Sequence, residues 1–294
     1  MELIRSMVRG ILTLDGAMGT QFMSKGKSGC FELLNVDEPE LVASIHQEYI
    51  EAGADIITTN TTCADALCLA EHGLSERSYE LAQAGAKVAR EVADKYSTTE
   101  RKRYVAGSVG PTTRNLTLAN DTTSEAIASA YAGVIKGLID GGVDMLLVET
   151  AMDSKNVKVA IEECRKIDAQ LPIVVSAVLS RIEGRVASGA TIAKFLEDIP
   201  LDEVAVVGFN CSDGVKPMAS ALKILSEACR KPIIAYPSAG RERLAANRFT
   251  KELEPLCRAG LINIVGGCCG TTPEHIKSLA KVAARWRPRK FENK

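Results

Sequence analysis

The sequence predicts an α/β fold, a single-domain (β/α)8 TIM barrel. Short apolar segments recur along the 294 residues, and a longer amphipathic segment follows each of them. Most of the short segments show no polar alternation, which is typical of parallel strands covered on both faces. Strict alternation of strand and helix along the chain favours a closed barrel, with an open doubly wound sheet as the alternative.

The predicted strands are short runs, most of them rich in Val, Ile, Leu and Ala. Runs of this length fit strands better than helices. In chain order the predicted strands are 12–15, 55–60, 104–110, 144–149, 173–178, 204–211, 233–236 and 262–267.

The segments between the strands have the apolar spacing of amphipathic helices. Glycine-containing sequences at 51–55, 140–144 and 258–263 follow three of them. A glycine at a helix C-terminus supplies the left-handed residue that closes the helix before the next strand. The predicted helices are 39–52, 75–95, 124–141, 154–169, 191–199, 217–228, 250–259 and a last one from about 272 to 284, with a further helix before strand one.

Composition and charge exclude several classes of protein. The net charge is -1 and aromatic residues make up 4% of the chain, which argues against a nucleic-acid partner. No apolar run approaches the roughly 18 residues of a membrane span. The charges at Glu2, Arg5 and Arg9 are unlike a signal peptide. Without a secretory signal, the odd number of cysteines, nine, predicts reduced thiols in a cytoplasmic protein.

Domain organisation follows from the absence of an internal linker. Residues 1–285 are predicted to form the barrel, since strand and helix patterns follow one another without interruption. Residues 286–294 are polar and include Pro288, and they are predicted to be a loose C-terminal tail or the start of a linker.

Three cysteines follow predicted strands at the end of the barrel where catalytic groups gather in this fold. Cys211 ends strand six, and the adjacent Cys268 and Cys269 follow strand eight in a glycine-rich loop. Such a loop does not build a core, so packing explains these cysteines poorly. Three thiolates suit tetrahedral zinc with one position left for substrate. The three cysteines are therefore predicted to bind zinc and to be catalytic.

Two carboxylates, Asp15 and Glu149, also stand at strand ends. A carboxylate pair at a barrel mouth is suited to an ammonium group, with rim salt bridges or helix caps as the alternative. The loop after Asp15 contains glycines whose amides can approach a carboxylate ligand closely. The substrate-binding candidates are Asp15, Gly16, Gly19, Thr20, Asn60 and Glu149.

Other interpretations of the same residues remain open. The three cysteines could be buried core thiols, and His275 could be a fourth ligand of a closed zinc site. The loop that leads to Thr272 could bind phosphate, although a helix start explains it more economically. Cys63 follows strand two and could approach the mouth, while the cysteines on helical segments are expected to pack in the core.

These residues make the sequence similar to the homocysteine S-methyltransferase family, most closely to its cobalamin-dependent members. The resemblance covers nearly the entire chain. It is carried by LDGAMGT (14–20), ADIITTNT (54–61), SVGPTTRNL (108–116), VETAMD (148–153), GFNCS (208–212) and NIVGGCCGTTPEHI (263–276). The resemblance implies that Cys211, Cys268 and Cys269 are the zinc ligands and that Asp15 and Glu149 bind the substrate ammonium.

The resemblance also implies an activity, which is zinc-dependent methyl transfer to homocysteine giving methionine. Methylcobalamin is then the expected donor, supplied with folate-binding and cobalamin-binding domains in cis or in trans. The alternatives are a donor such as S-methylmethionine or betaine, or a zinc- and thiol-binding subunit without turnover of its own. The chain departs from the pattern at Thr62 and Cys63 and in the segment 241–254. Both places border the pocket and bear on donor access.

Overall fold

Eight parallel strands form one sheet in the computed structural model, which describes residues 2–117 and 121–292. The sheet follows the chain order around a ring, β1-β8-β7-β6-β5-β4-β3-β2. The strands are β1 Leu12–Thr13, β2 Ile56–Thr58, β3 Tyr104–Val109, β4 Met145–Ala151, β5 Ile173–Val178, β6 Val206–Cys211, β7 Ile233–Pro237 and β8 Ile264–Val265.

Contacts between β1 and β2 close the ring. Leu14 and Ile56 form a parallel bridge, and the Asp15 amide donates a hydrogen bond of 2.9 Å to the Ile56 carbonyl. On the other side of β1, Leu12 is in register with Ile264 of β8. The predicted (β/α)8 barrel is therefore confirmed, and the open sheet is excluded.

Helices surround the barrel and connect its strands. Short 3-10 turns also occur at Phe31–Leu33, Ser75–Arg77 and Leu201–Glu203. Among the described residues, no helix combines the length and apolar character that a membrane span requires. The helices are α1 Glu2–Arg9, α2 Gly19–Ser24, α3 Leu34–Asp37, α4 Pro39–Glu51, α5 Ala66–Ala70, α6 Ser78–Tyr96, α7 Ser124–Asp140, α8 Ser154–Ile167, α9 Ile192–Asp198, α10 Val215–Ala228, α11 Ala246–Arg258 and α12 Pro273–Ala283.

The predicted glycine turns are present at the ends of three helices. Gly53 after α4, Gly142 after α7 and Gly260 after α11 have φ values of 111°, 89° and 63°. Only glycine adopts this left-handed region without steric cost, so each residue turns the chain into the next strand.

The apolar core has an inner and an outer part. Side chains such as Leu147, Val174 and Ile234 fill the inside of the barrel, as in other closed eight-stranded barrels. The outer part packs between the strands and the surrounding helices. Leu3 and Met7 of α1 belong to the inner cluster, so the first helix covers the N-terminal end of the barrel.

The segment after α12 is described up to residue 292 and lies against the barrel. Arg289 is buried, and its guanidinium donates hydrogen bonds to the carbonyls of Ser226 and Cys229 at 2.8 and 2.7 Å. Asn263 donates to the Arg289 carbonyl at 2.9 Å. The predicted division at residue 285 stays a prediction.

Several boundaries differ from those predicted. Strands β1, β2 and β8 are shorter than predicted, because the chain leaves the ladder early to form the loops at the barrel mouth. Strand β4 runs past Glu149 to Ala151, with a shift of register against β5 between Val148 and Ala151. Helix α11 begins at Ala246, four residues before its predicted start. The short helices α2, α3 and α5 were not predicted.

Candidate metal centre and substrate site

Neighbouring strands bring the three predicted cysteines to one side of the barrel mouth. Cys211 ends β6 and is in register with Pro237 of β7. The Cys268 amide, just beyond β8, donates to the Pro237 carbonyl at 2.8 Å, and the Ala239 amide donates to the Cys269 carbonyl at 2.9 Å. The three side chains, here called the cysteine cluster, therefore meet above β7.

The sulfur atoms of the cysteine cluster all lie within 4.8 Å of one another. The Cys269 Sγ is 3.8 Å from the Cys211 Sγ and 4.0 Å from the Cys268 Sγ. Zn–S bonds of about 2.3 Å in tetrahedral geometry place two sulfur ligands about 3.8 Å apart. The spacing therefore fits one zinc ion with three thiolate ligands. In the described part of the chain, no other group of His, Cys, Asp or Glu converges in this way.

The turn that presents Cys211 has an uncommon backbone. Cys211 and Ser212 have φ values of 50° and 57°, a region that residues other than glycine rarely occupy. The Ser212 hydroxyl donates to the Asn210 carbonyl at 2.9 Å and accepts from the Leu179 amide at 3.1 Å. The Ser238 hydroxyl donates to the Ser212 carbonyl at 2.9 Å. These bonds hold the turn, and with it the Cys211 sulfur, in place.

Hydrogen bonds within the cysteine cluster shift the pKa values of its thiols in opposite directions. Donation from Cys211 and then from Cys268 lowers the pKa of the Cys269 thiol. The pKa of the Cys268 thiol is raised by its hydrogen bonds to Cys211 and Cys269 and by burial. Cysteine binds metals as the thiolate, so binding of a metal ion would displace the protons that the cluster still holds.

Asp15 is buried at the opening of the barrel, where the chain leaves β1. Its Oδ2 accepts a hydrogen bond of 2.7 Å from the Thr58 amide, and the Thr58 hydroxyl lies 3.1 Å from Oδ1. Burial raises the pKa of the Asp15 carboxyl well above its usual range, the Thr58 hydrogen bonds lower it, and the nearby charge of Glu149 raises it further.

Glu149 is buried in the irregular part of β4. Its Oε1 accepts a hydrogen bond from the Ser108 hydroxyl and lies 3.4 Å from the Thr62 hydroxyl. Its Oε2 accepts from the Tyr236 hydroxyl at 3.2 Å. Burial raises the pKa of the Glu149 carboxyl, although these hydrogen bonds lower it, and the charge of Cys269 adds to the increase. Glu149 therefore lies close enough to the cysteine cluster to interact with it.

Within the described part of the chain, neither carboxylate has a cationic partner. Across residues 2–117 and 121–292, Asp15 and Glu149 accept hydrogen bonds from hydroxyls and a backbone amide but form no ion pair with Lys or Arg. A buried carboxylate without a paired cation is costly to ionise. The carboxylate pair, Asp15 and Glu149, is therefore suited to a cation that arrives with the ligand.

The loop after Asp15 packs tightly against the loop that follows β8. A Cβ atom on Gly16 would lie 2.7 Å from the Thr271 hydroxyl oxygen and 2.8 Å from the Tyr49 ring. The Ala17 amide donates to the Thr271 hydroxyl at 3.2 Å. Gly19 begins α2, and the buried hydroxyl of Thr20 has no hydrogen-bond partner among the described residues. The substrate-binding roles of Gly16, Gly19 and Thr20 stay predictions.

Asn60 differs from the other candidates, because its side chain forms hydrogen bonds to other segments of the protein. Its Nδ2 donates to the Phe31 carbonyl at 2.7 Å and to Asn35 Oδ1 at 3.0 Å. Asn35 in turn donates to the Asn60 carbonyl at 2.8 Å. The substrate-binding role of Asn60 stays a prediction.

The alternatives raised by the sequence have structural answers. His275 closes a capping box with Thr272, and its Nε2 lies 2.7 Å from the Leu244 carbonyl, so it takes no part in the cysteine cluster. The helix start is thus the better explanation of the segment proposed for phosphate. Cys63 is exposed, and its amide donates to Glu32 Oε1 at 2.9 Å. Cys164, Cys229 and Cys257 are buried, as expected of packing residues.

Sequence reasoning placed Ser176 and Asn210 among the polar strand ends but assigned no role to the residues that support the cysteine cluster and the carboxylate pair. They include Thr58, Ser108, Ser176, Asn210 and Tyr236. A signal existed, since Ser108 and Ser176 are polar residues inside runs that are otherwise apolar. A buried polar group in a strand must find a hydrogen-bond partner, and that requirement marks these positions.

Comparison with known proteins identifies the family to which the chain belongs. The sequence model of the family described as "Homocysteine S-methyltransferase" matches residues 12–283. The chain therefore belongs to the homocysteine S-methyltransferase family. The resemblance noted from the sequence is confirmed.

Two curated relatives from mycobacteria carry the name methionine synthase. The protein of Mycobacterium leprae (strain TN) is 34% identical over 97% of this chain, and that of Mycobacterium tuberculosis (strain ATCC 25618 / H37Rv) is 35% identical over 96%. The alignments cover 25% of each relative, so the chain spans about a quarter of their length.

Solved structures of a homocysteine methyltransferase, MmuM from Escherichia coli, have the same fold. The oxidized form is 26% identical with a TM-score of 0.80, over 92% of this chain and 95% of that chain. The metallated form is 27% identical with a TM-score of 0.77, over 92% and 96%.

Proposed function

We propose that Cys211, Cys268 and Cys269 hold a zinc ion that activates the thiol of homocysteine, and that the chain is the homocysteine module of a cobalamin-dependent methionine synthase. One observation carries the proposal. Three sulfur atoms from two separate strand ends meet at zinc-ligand spacing, and two buried carboxylates at the same barrel mouth have no cationic partner among the residues that the structure describes. Homocysteine offers a thiol for the first group and an ammonium for the second.

The carboxylate pair would bind the ammonium of homocysteine. Asp15 and Glu149 are both buried, so an ammonium placed between them would be shielded from solvent and would offset their charge. The amides of the loop 16–20 would bind the substrate carboxylate, with the unpartnered hydroxyl of Thr20 as a further donor. Holding both ends of the amino acid orients the thiol before it reacts.

The cysteine cluster would set the reactivity of the substrate sulfur. A free thiol with a pKa near 8.5 is mostly protonated at neutral pH. When bound, zinc supplies the positive charge that deprotonates the thiol of homocysteine. The three anionic cysteine ligands give the centre a net negative charge, which keeps that sulfur electron-rich. A methyl group transferred to this sulfur would leave the electron pair of its former bond with the donor, so no protein acid would be required.

The donor assignment rests on the relatives. Both mycobacterial proteins are named methionine synthase and are about four times as long as the aligned region. We propose that methylcobalamin is the donor and that cobalamin-binding and folate-binding domains act on this barrel in cis or in trans. A second candidate is a homocysteine methyltransferase that works as a barrel alone with S-methylmethionine or betaine. The MmuM structure favours it, because the alignment covers 95% of that chain.

A donor screen tests the proposal. The purified chain, loaded with one equivalent of zinc, is incubated with homocysteine and with methylcobalamin, S-methylmethionine or betaine, and methionine is measured. Zinc-dependent methionine formation from methylcobalamin supports the module assignment. Turnover with only S-methylmethionine or betaine supports the second candidate. Protein that binds no zinc, or that is equally active after chelation of its metal, contradicts the metal centre.

The control for this screen is the Cys164→Ala variant. Cys164 is a buried cysteine on α8 that takes no part in the cysteine cluster. Its zinc content and its donor preference should equal those of the unchanged protein. A change in either would show that zinc binds to cysteines outside the proposed centre.

A further inference from the structure

The Asn210 side chain lies at the centre of the polar groups beneath the site. It is fully buried in β6, directly before Cys211. Its Oδ1 accepts hydrogen bonds from the Thr150 amide at 3.0 Å and from the Ser176 hydroxyl at 2.9 Å. Its Nδ2 faces the Thr150 hydroxyl oxygen at 2.9 Å and the Cys268 Sγ at 3.9 Å. A primary amide offers two acceptor positions and two N–H donors, and here all four are used.

This network also fixes which way the amide points. The Thr150 backbone amide can only donate, so the Asn210 atom that faces it must be the oxygen. The NH2 group therefore faces Cys268. An N–H group directed at a ligand sulfur stabilises the thiolate form over the thiol, since the sulfur accepts the hydrogen bond.

The contact with Thr150 reaches the carboxylate pair. Thr150 follows Glu149 and has a φ of 56°, a conformation that β-branched residues rarely adopt. It lies in the irregular part of β4, between Val148 and Ala151, where the register against β5 shifts. Irregularities of this kind redirect side chains near active sites. Asn210 holds both the amide and the hydroxyl of Thr150, so it fixes the segment that presents Glu149.

Two buried hydroxyls add hydrogen bonds to the residues of this network. Ser176 donates to Asn210 Oδ1 at 2.9 Å, and Tyr236 donates to Glu149 Oε2 at 3.2 Å. All four side chains are buried, so solvent does not weaken these hydrogen bonds.

We propose that Asn210 is a positioning residue that couples the metal centre to the ammonium-binding carboxylates, a role that rests on the proposed function. One side chain orients Cys268, precedes Cys211 and anchors the segment that presents Glu149. A change at Asn210 therefore affects zinc binding and homocysteine binding together, although the residue need not touch either ligand.

The test compares Asn210→Ala with a matched control, Asn263→Ala. Asn263 is also fully buried and also joins strands, since its Oδ1 accepts from the Ile233 amide at 2.9 Å and its Nδ2 donates to Arg289. It lies at the opposite end of the barrel. Zinc affinity is measured by competition with a chromogenic chelator, and homocysteine affinity of the zinc-loaded proteins by calorimetry.

Asn210→Ala should lower zinc affinity about 10- to 100-fold, the usual effect of removing a residue that orients a metal ligand. It should also weaken homocysteine binding and shift the thiolate-to-metal absorption band of the cobalt-substituted protein. Asn263→Ala should leave all three readouts as in the unchanged protein. Equal zinc and homocysteine affinities in Asn210→Ala and the unchanged protein would overturn the inference while leaving the proposed function intact.

Ser176→Ala keeps the inference testable if Asn210→Ala does not fold. It removes one of the two donors to Asn210 Oδ1 but leaves the contact between Asn210 and Cys268. Loss of one neutral hydrogen bond should weaken homocysteine binding about 2- to 10-fold with little change in zinc affinity. Unchanged homocysteine affinity in this variant contradicts the coupling. Failure of the unchanged protein itself to bind zinc would reject the proposed function.

Discussion

Carboxylates at the two ends of the barrel have different partners. At the N-terminal end, Asp55 pairs with Arg101 at 2.7 Å and with Arg103 at 3.3 Å, and Asp144 pairs with Arg90 at 2.7 Å. At the mouth, the carboxylate pair of Asp15 and Glu149 accepts only from hydroxyls and an amide within the described residues.

This difference distinguishes carboxylates that stabilise the fold from carboxylates that we propose to bind a ligand. A paired carboxylate has its counter-charge within the fold, so a ligand gains little by approaching it. Burial without such a partner raises the pKa of Asp15 and of Glu149. A cation bound beside them would stabilise their ionised forms. The cysteines divide in a similar way, since Cys164 on α8 and Cys257 on α11 are buried in the core, whereas three others meet at the mouth.

The largest expected effect is the loss of the metal centre. Cys211→Ala, Cys268→Ala and Cys269→Ala should each abolish stoichiometric zinc and methyl transfer, because two thiolates cannot hold the ion as three do. Metal content is measured by atomic absorption, and folding by circular dichroism. Cys257→Ala, a buried thiol on α11, is the control and should retain full zinc content. A cluster variant that keeps zinc and full activity would reject the assignment.

The next effect concerns the carboxylate pair. Asp15→Asn and Glu149→Gln should each weaken homocysteine binding about 10- to 100-fold, since a charge-assisted hydrogen bond contributes about 1.5–3 kcal/mol. Zinc content should not change. Calorimetric titration of the zinc-loaded proteins measures the affinity, with Asp55→Asn as the control from the opposite end of the barrel. Homocysteine affinity that is unchanged in both mouth variants, or equally reduced in Asp55→Asn, would contradict the comparison.

The loop that follows Asp15 gives a smaller effect. Gly16→Ala places a methyl group within 2.7 Å of Thr271 and 2.8 Å of Tyr49, and overpacking of this kind costs about 1–3 kcal/mol of folding free energy. Gly19→Ala is the matched control, because its Cβ would lie 3.6 Å from the Phe31 ring, an ordinary contact. Chemical denaturation of both variants measures the difference. Equal stability of the two variants would contradict the tight packing of this loop.

The last predictions concern the stability of the ligand-free protein, and the expected sign differs between Asp15→Asn at the mouth and Asp55→Asn at the opposite end. Burial raises the pKa of Asp15 above its ordinary value, so ionising it at neutral pH disfavours the folded state. Asp15→Asn should therefore stabilise the ligand-free protein at neutral pH. The gain should be full above the raised pKa and absent below the ordinary pKa of about 4. Thermal unfolding across this pH range measures it.

Asp55→Asn should have the opposite effect at neutral pH. It leaves the half-buried Arg103 without its partner and should lower the free energy of unfolding by about 2–3 kcal/mol. If both aspartate variants lose stability equally at neutral pH, the distinction between paired and unpaired carboxylates is wrong.

The barrel could be predicted from the sequence because its signals are local. Apolar runs such as 173–178 predict strands, and the glycines after α4, α7 and α11 predict helix ends, from the nearby sequence alone. Helices α2, α3 and α5 could not be predicted, since four to six residues are too few to show a period. The early ends of β1 and β8 depend on loops that meet only in three dimensions, as Gly16 and Thr271 do.

The candidate site was predictable only in part, for a similar reason. Cys211, Cys268, Cys269, Asp15 and Glu149 stand at strand ends, and the fold class says that strand ends gather at one face. The roles of Asn210 and Ser176 depend on the register between β5 and β6 and on the irregularity of β4. Register is set by pairing across the sheet, so sequence spacing alone does not reveal it.

Zinc K-edge X-ray absorption of the loaded protein, recorded with and without homocysteine, tests the central claim most directly. We expect three sulfur scatterers at about 2.3 Å without homocysteine and four with it, because the substrate sulfur joins Cys211, Cys268 and Cys269 at the metal. A sulfur count below three, or one that stays the same when homocysteine is bound, would contradict this account.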